Sequence, residues 1–167
     1  MASDRSDDEL SRRLSKAQRR AVDRISHRWY SNRPPHGTPQ LQQLRFAPDD
    51  DIYDVAFLLI ADRQPQESVF VLAGPAVETA LGTRAVGRKL NEVIPAALLD
   101  SACAALEAAL TTQQPARISG AFRESETMLV LYRLAFFPVA GQFEGTTRLD
   151  YLLGTYGCRR EPAGTEA

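Results

Sequence analysis

Two histidines, two cysteines, three consecutive aspartates and a glycine-bracketed basic loop are the parts of this chain that could do chemistry. Histidine is the usual general base near neutral pH, and it needs a nucleophile or a metal beside it. His27 falls in a basic stretch and His36 in a proline-rich one, so both read as solvated side chains rather than a catalytic pair. Cys103 and Cys158 form no CxxC pair and read as reduced thiols, with Cys103 an inert one among alanines. Asp49, Asp50 and Asp51 are adjacent, whereas a calcium loop spaces its ligands around a central Gly and a distal Glu, so no metal is expected there. Residues 82–89, GTRAVGRK, nearly copy a phosphate loop, but Arg88 stands where the lysine belongs and Lys89 where a Ser or Thr would hold magnesium. Arg88 and Lys89 are instead expected on the rim of the domain, facing solvent. No GxGxxG, HExxH or GxSxG occurs, so neither catalytic residues nor a cofactor are expected.

The elements that would position any site are legible in the patterning. Residues 69–73 read as a strand; Gly74 and Pro75 break it, residues 76–81 have room for a short helix, and Gly82 ends that helix. Six residues cannot recover the cost of helix nucleation in water, so neighbouring structure must hold them. Residues 55–61 are continuously apolar and pair with 69–73 as a hairpin across the polar turn 62–67. Residues 95–112 are alanine-rich with Leu106 at helical spacing, and Pro95 suits the first turn of a helix lying across a sheet. Three further strands are expected at 116–123, 128–138 and 148–158, joined by polar turns at 124–127 and 141–147. Before all of these, residues 8–33 read as one long amphipathic helix with an apolar stripe at Leu10, Leu14, Ala17, Ala21, Ile25 and Trp29. Its start is expected to be capped by Asp7 or Asp8, and Asp49 is able to cap a short turn after the proline-rich loop.

Two strands, helices, then three strands give an α+β fold: a five-stranded antiparallel sheet with helices on one face, preceded by the long N-terminal helix. Residues 1–7 are expected to be disordered and 160–167 to form a flexible tail. Leu72, Leu106, Tyr132 and Phe136 are candidates to line a space between helices and sheet, with Tyr132 as its polar handle; equally, they could simply fill a core. The helix stripe has two readings as well. It is narrow and flanked by arginines, which suits pairing with a partner or with a second copy, and it could also cover the open face of its own sheet.

Residues 69–95 also carry a resemblance. A strand, a turn at Gly74, Pro75 and Ala76, a short helix closed by Leu81 and Gly82, then Gly87, Arg88 and Leu90 follow the order common in PAS domains. Trp29, Arg33, Phe46, Pro48, Asp51 and Ile52, with the strand ending at Pro138, Gly145 and the segment 150–154, resemble the flanks of short, single-PAS bacterial proteins. The resemblance spans residues 28–159, which makes 34–159 a PAS-like domain. It implies a sensory and regulatory module in signal transduction, without an output domain, acting through protein–protein contact and able to take a small ligand. It implies an N-terminal helix that packs on the domain or pairs with its copy in a homodimer. Gly74 departs from the Asn many PAS domains have there, so a side-chain hydrogen bond often made at that position is missing. The helix over 95–112 has no histidine to serve as the axial ligand of haem-binding PAS domains, and the cysteine motif that bonds flavin is missing too.

Composition narrows the alternatives. The chain has 167 residues, 44% hydrophobic and 25% charged, enough for one ordinary globular domain. Its net charge of −1 gives no strong overall field for nucleic acid or anionic membrane. Residues 1–33 hold nine basic against five acidic side chains, so nucleic-acid binding through that helix is an alternative, though it lacks the interleaved aromatics of single-strand binders. A small α+β enzyme or carrier using Tyr132 and Asp150 is another. The polar start does not read as a signal peptide and no apolar run approaches the roughly 20 residues of a membrane span, so a cytoplasmic location is expected.

Overall fold

The structure, a computed structural model, describes residues 16–46 and 50–164. A helix α1 (Lys16–Asn32) leads through an irregular loop with one tight turn, Leu41–Leu44, to the single turn α2 (Asp51–Asp54) and the hairpin β1 (Ala56–Ile60) and β2 (Val69–Ala73). Helices α3 (Pro75–Leu81), α4 (Leu90–Val93) and α5 (Ala96–Thr112) follow, then β3 (Ala116–Ser125) and β4 (Met128–Pro138). A small hairpin, β5 (Gln142–Glu144) with β6 (Thr147–Leu149), precedes the closing strand β7 (Tyr151–Pro162). The main sheet is antiparallel in the order β2-β1-β7-β4-β3, so the last strand enters the middle, between β1 and β4.

The α+β architecture expected from the patterning is present, with differences that have physical causes. The sheet is covered on both faces, not one: α3, α4 and α5 cover the face carrying Phe57, Phe70, Tyr132 and Phe136, while α1 covers the reverse face at Ala135, Phe137 and Leu153. Residues 160–162 are strand rather than tail, because Arg160, Glu161 and Pro162 pair with Val130, Leu129 and Met128. The expected polar turn at 141–147 contains the β5–β6 hairpin, with Gly145 at φ +62° in its bend. Asp50, not Asp49, caps α2, accepting a bond from the Ile52 N–H at 3.1 Å. Asp49 lies outside the described residues, as do residues 1–15 and with them the start of the expected helix over 8–33.

Three glycines mark places where a side chain has no room or no allowed backbone. Gly74 opens α3 directly over the carbonyls of Tyr53 and Asp54, so any Cβ would collide with backbone. It has no side chain to cap the helix, and Asp54 supplies the cap from outside: its Oδ1 accepts from the Ala76 N–H at 3.1 Å. Gly82 ends α3 at φ +73°. Gly154 sits in β7 opposite Phe57, whose ring occupies the volume a Cβ would need. Phe57 is fully buried and wedged between Phe70 and Phe136, with ring centroids 5.3 and 6.0 Å away, so it cannot retreat. Gly154→Ala should therefore destabilise the protein by about 2–3 kcal/mol through overpacking. Urea denaturation should show a smaller loss when the same change is made in a Phe57→Leu background, since the two sites share one volume.

Candidate functional site at the interface of the N-terminal helix and the sheet

The four expected cavity residues do not all lie on one face of the sheet. Leu106, Tyr132 and Phe136 are buried in one cluster, with Tyr132 facing inward, and Phe57 and Phe70 belong to the same cluster, the Phe57 ring 6.0 Å from that of Phe136. Tyr132 lies along the sheet, its hydroxyl 2.9 Å from where a Cβ on the directly opposed Gly120 would stand, and its ring tilts against Phe122 at 6.0 Å. Leu72 is not among them. Simple alternation from the buried Phe70 would turn it inward, but the register slips between Leu58 and Leu59, Val71 becomes the extra residue, and Leu72 lands opposite Leu58 on the reverse face, 37% exposed.

Polar groups gather at one end of this layer. Tyr156 is bonded to Cys158, whose thiol donates to the Ala80 carbonyl at 3.5 Å, and Arg160 spans the thiol and Glu124, meeting the carboxylate at 3.0–3.2 Å. Burial pushes the Tyr156 phenol well above its ordinary range, with the neighbouring Cys158 adding to it. Burial likewise raises Cys158 and Tyr132, and Cys103 on α5 is raised chiefly by burial too. These are protonated, packed groups rather than nucleophiles. The Tyr132 and Asp150 pairing of a small enzyme is not assembled: Tyr132 is opposite Cys158, eight positions along β7, or roughly 26 Å, from Asp150. Asp150 pairs instead with Arg148 at 3.1 Å.

The reverse face holds the richer arrangement. Ala21, Ile25 and Trp29 are buried in a second cluster with Ile52, Phe137 and Leu153, so this part of the stripe covers the sheet of its own domain. The side chain of Ala17, and Leu10 and Leu14 altogether, lie outside the described residues. The Trp29 indole donates to the Pro138 carbonyl at 2.7 Å, closing a contact between segments 109 residues apart. Arg28 ties the helix to Asp50 at 3.0 Å and to the Leu44 carbonyl, and Arg33 lies 5.9 Å over the Trp29 ring. From the sheet, Arg117 reaches back to donate to the Ser26 hydroxyl, its guanidinium 6.0 Å above the Phe137 ring. An open groove runs beside this contact, between α1 and the β3–β4 ladder. Ser26 and the groove residues are what periodicity did not single out.

His27 and His36 are both exposed, and Lys89 faces solvent beside Glu67, whereas Arg88 is half-buried and donates to Thr83 Oγ1 at 2.7 Å and to the Glu92 carbonyl. Among the described residues no group of three or more His, Cys, Asp or Glu is placed to hold a metal ion, and no helix is long and apolar enough to cross a membrane. Compared with family models and with curated proteins, the chain matches none.

Trp29→Phe removes the donor to a buried carbonyl and should cost about 2 kcal/mol, read as a lower urea midpoint. The buried phenols and thiol give an alkaline limb. Unfolded, they ionise near their ordinary values of about 8.5 for thiol and 10 for phenol; folded, they hold their protons higher. Above those values the native state binds more protons than the unfolded one, so their contribution to stability is constant below about pH 8.5 and declines above about 8.5 for the thiol and above about 10 for the phenols. Melting temperature followed from pH 7 to 11 should fall less steeply for Tyr156→Phe than for the parent chain.

Proposed function

We propose that the chain is a PAS-type sensory and regulatory module that works by protein–protein contact, as a homodimer or with a protein partner, in the cytoplasm and without catalysing a reaction. The observation that carries this reading is the standing of α1. It forms a layer of its own on the reverse face, opposite the helices that build the main core, and is held by Ala21, Ile25 and Trp29 with Val22 beside them and by a few polar ties. The chain order of two strands, three helices and three sheet strands, with Gly82 and Gly87 at φ +73° and +81°, supports the PAS part. Gly87 brings backbone to the sheet, its N–H donating to the Phe70 carbonyl at 2.8 Å.

A helix attached in this way has two arrangements available: docked on its own sheet, or engaged with another molecule. A partner preferring the second shifts the balance by its differential affinity, typically about 1–3 kcal/mol.

Trp29 is the only tryptophan of the sequence, so its emission reports on α1 alone. Native mass spectrometry of freshly purified protein should show a dimer or a retained partner. Ile25→Asp should shift Trp29 emission to the red and abolish that complex while the sheet stays folded by circular dichroism. A monomer without companions, with Trp29 emission independent of protein concentration, would sink the reading.

A further inference from the structure

The two edges of the sheet are finished differently. The loop after α3 lies along β2, where Gly87 and Leu90 donate to the Phe70 and Ser68 carbonyls. β3, the ten-residue strand at the other edge, pairs with β4 alone, and among the described residues it makes no backbone–backbone bond outside that ladder. An antiparallel strand bonds each neighbour through every second residue, so half of the N–H and C=O groups of β3 point outward as a template for a further strand. Gly120 and Ala121 at its centre put no bulky side chain in the way.

The side chains decide which strand fits. Arg117 and Arg123 stand opposite Ala135 and Leu129 on the reverse face, roughly 20 Å apart along β3. Arg117 donates to the neutral Ser26 hydroxyl and Arg123 to the Glu126 carbonyl at 3.3 Å. Neither forms an ion pair among the described residues, and the nearby Glu124 carboxylate is held by Arg160 at 3.0–3.2 Å. The other face of β3 carries Ile118 and Phe122, half-buried against the main core. A second copy of this chain fits poorly. Two antiparallel copies must keep like faces together, and their longest such register, centred on Gly120, sets each Arg117 opposite the Arg123 of the other copy. Like charges directly opposed destabilise a ladder.

We infer that β3 is the docking edge for an extended acidic segment of another protein, which adds to the five-stranded sheet as a further strand. Over residues 117–123 the matching segment carries a carboxylate at each end, for Arg117 and Arg123, and apolar side chains at its second, fourth and sixth positions, beside Ile118, Gly120 and Phe122. Backbone bonds supply the affinity, and the two arginines choose the partner by attracting acids and repelling a second copy. This surface is separate from the engagement of α1. Strand addition can fail while α1 still meets a partner, and the reverse.

The test titrates the full chain, labelled with nitrogen-15, with the synthetic peptide Asp-Val-Thr-Val-Thr-Val-Asp, blocked at both ends, and separately with its counterpart carrying Lys for both Asp. Saturable amide shifts along β3 with the Asp peptide, and slowed hydrogen exchange at every second residue over 117–123, are the expected result. Arg123→Glu should weaken the Asp peptide about fivefold and strengthen the Lys peptide by a similar factor, a surface ion pair being worth up to about that much. Arg123→Gln should narrow the preference without inverting it, and Arg84→Glu, in the loop along β2, should change nothing. No saturable binding, equal binding of the two peptides, shifts centred away from β3, or a preference untouched by Arg123→Glu would overturn the inference. So would equal loss in Arg84→Glu, or concentration-dependent slowing of β3 exchange without peptide, which would give the edge to a second copy.

Discussion

The Phe57 ring over Gly154 sets the centre of this molecule. β7 enters the sheet last in sequence but lies between β1 and β4, and it can do so at this height because Gly154 leaves room for a ring projecting from the directly opposed residue. With no Cβ on β7, Phe57 lies against the backbone and meets both Phe70 and Phe136. The same device recurs one ladder away, where Tyr132 covers Gly120. Aromatic side chains laid over glycines make a dense layer between sheet and α5.

The second arrangement that follows is the closure of one sheet edge. α3 is capped at its start by Asp54 and at its end by Gly82, and Glu78 Oε2 accepts from the Ala85 N–H at 2.7 Å, fixing the loop beyond it. The loop then lies along β2: Gly87 and Leu90 donate to the Phe70 and Ser68 carbonyls, and the Phe70 N–H donates to the Arg88 carbonyl. The β2 edge is thereby occupied. The opposite edge, the ten-residue β3, has charged Arg117 and Arg123 along it, a common guard against unwanted strand pairing.

Much of this was legible in the residues. Gly82 was readable because a helix end favours a residue free to take positive φ, and it carries φ +73°. The hairpin, α5 and the long β4 were readable from apolar runs and breakers. Leu72 was misjudged because a bulge leaves no mark on alternation in so apolar a strand. The role of Asp54 was invisible for a different reason: it caps a helix 22 residues away, and no local pattern encodes that. The stripe on α1 announced a buried face, but periodicity says only that a face is apolar, not whether its cover is the same chain or another. The role of Arg117 was not readable, since it depends on Ser26 arriving from 91 residues earlier.

The bond from Trp29 to the Pro138 carbonyl has a bearing on how the chain is made. A ribosome releases α1 before any of the strands it rests on, and β7, which supplies Leu153 to that resting place, is completed more than a hundred residues later. During that interval Ile25 and Trp29 have Leu44 and Ile52 to pack against but not Phe137 or Leu153, so the nascent helix is only partly covered. Contacts of such long sequence separation form slowly, which makes the seating of α1 a late event in folding and leaves a window in which another molecule can reach the helix first.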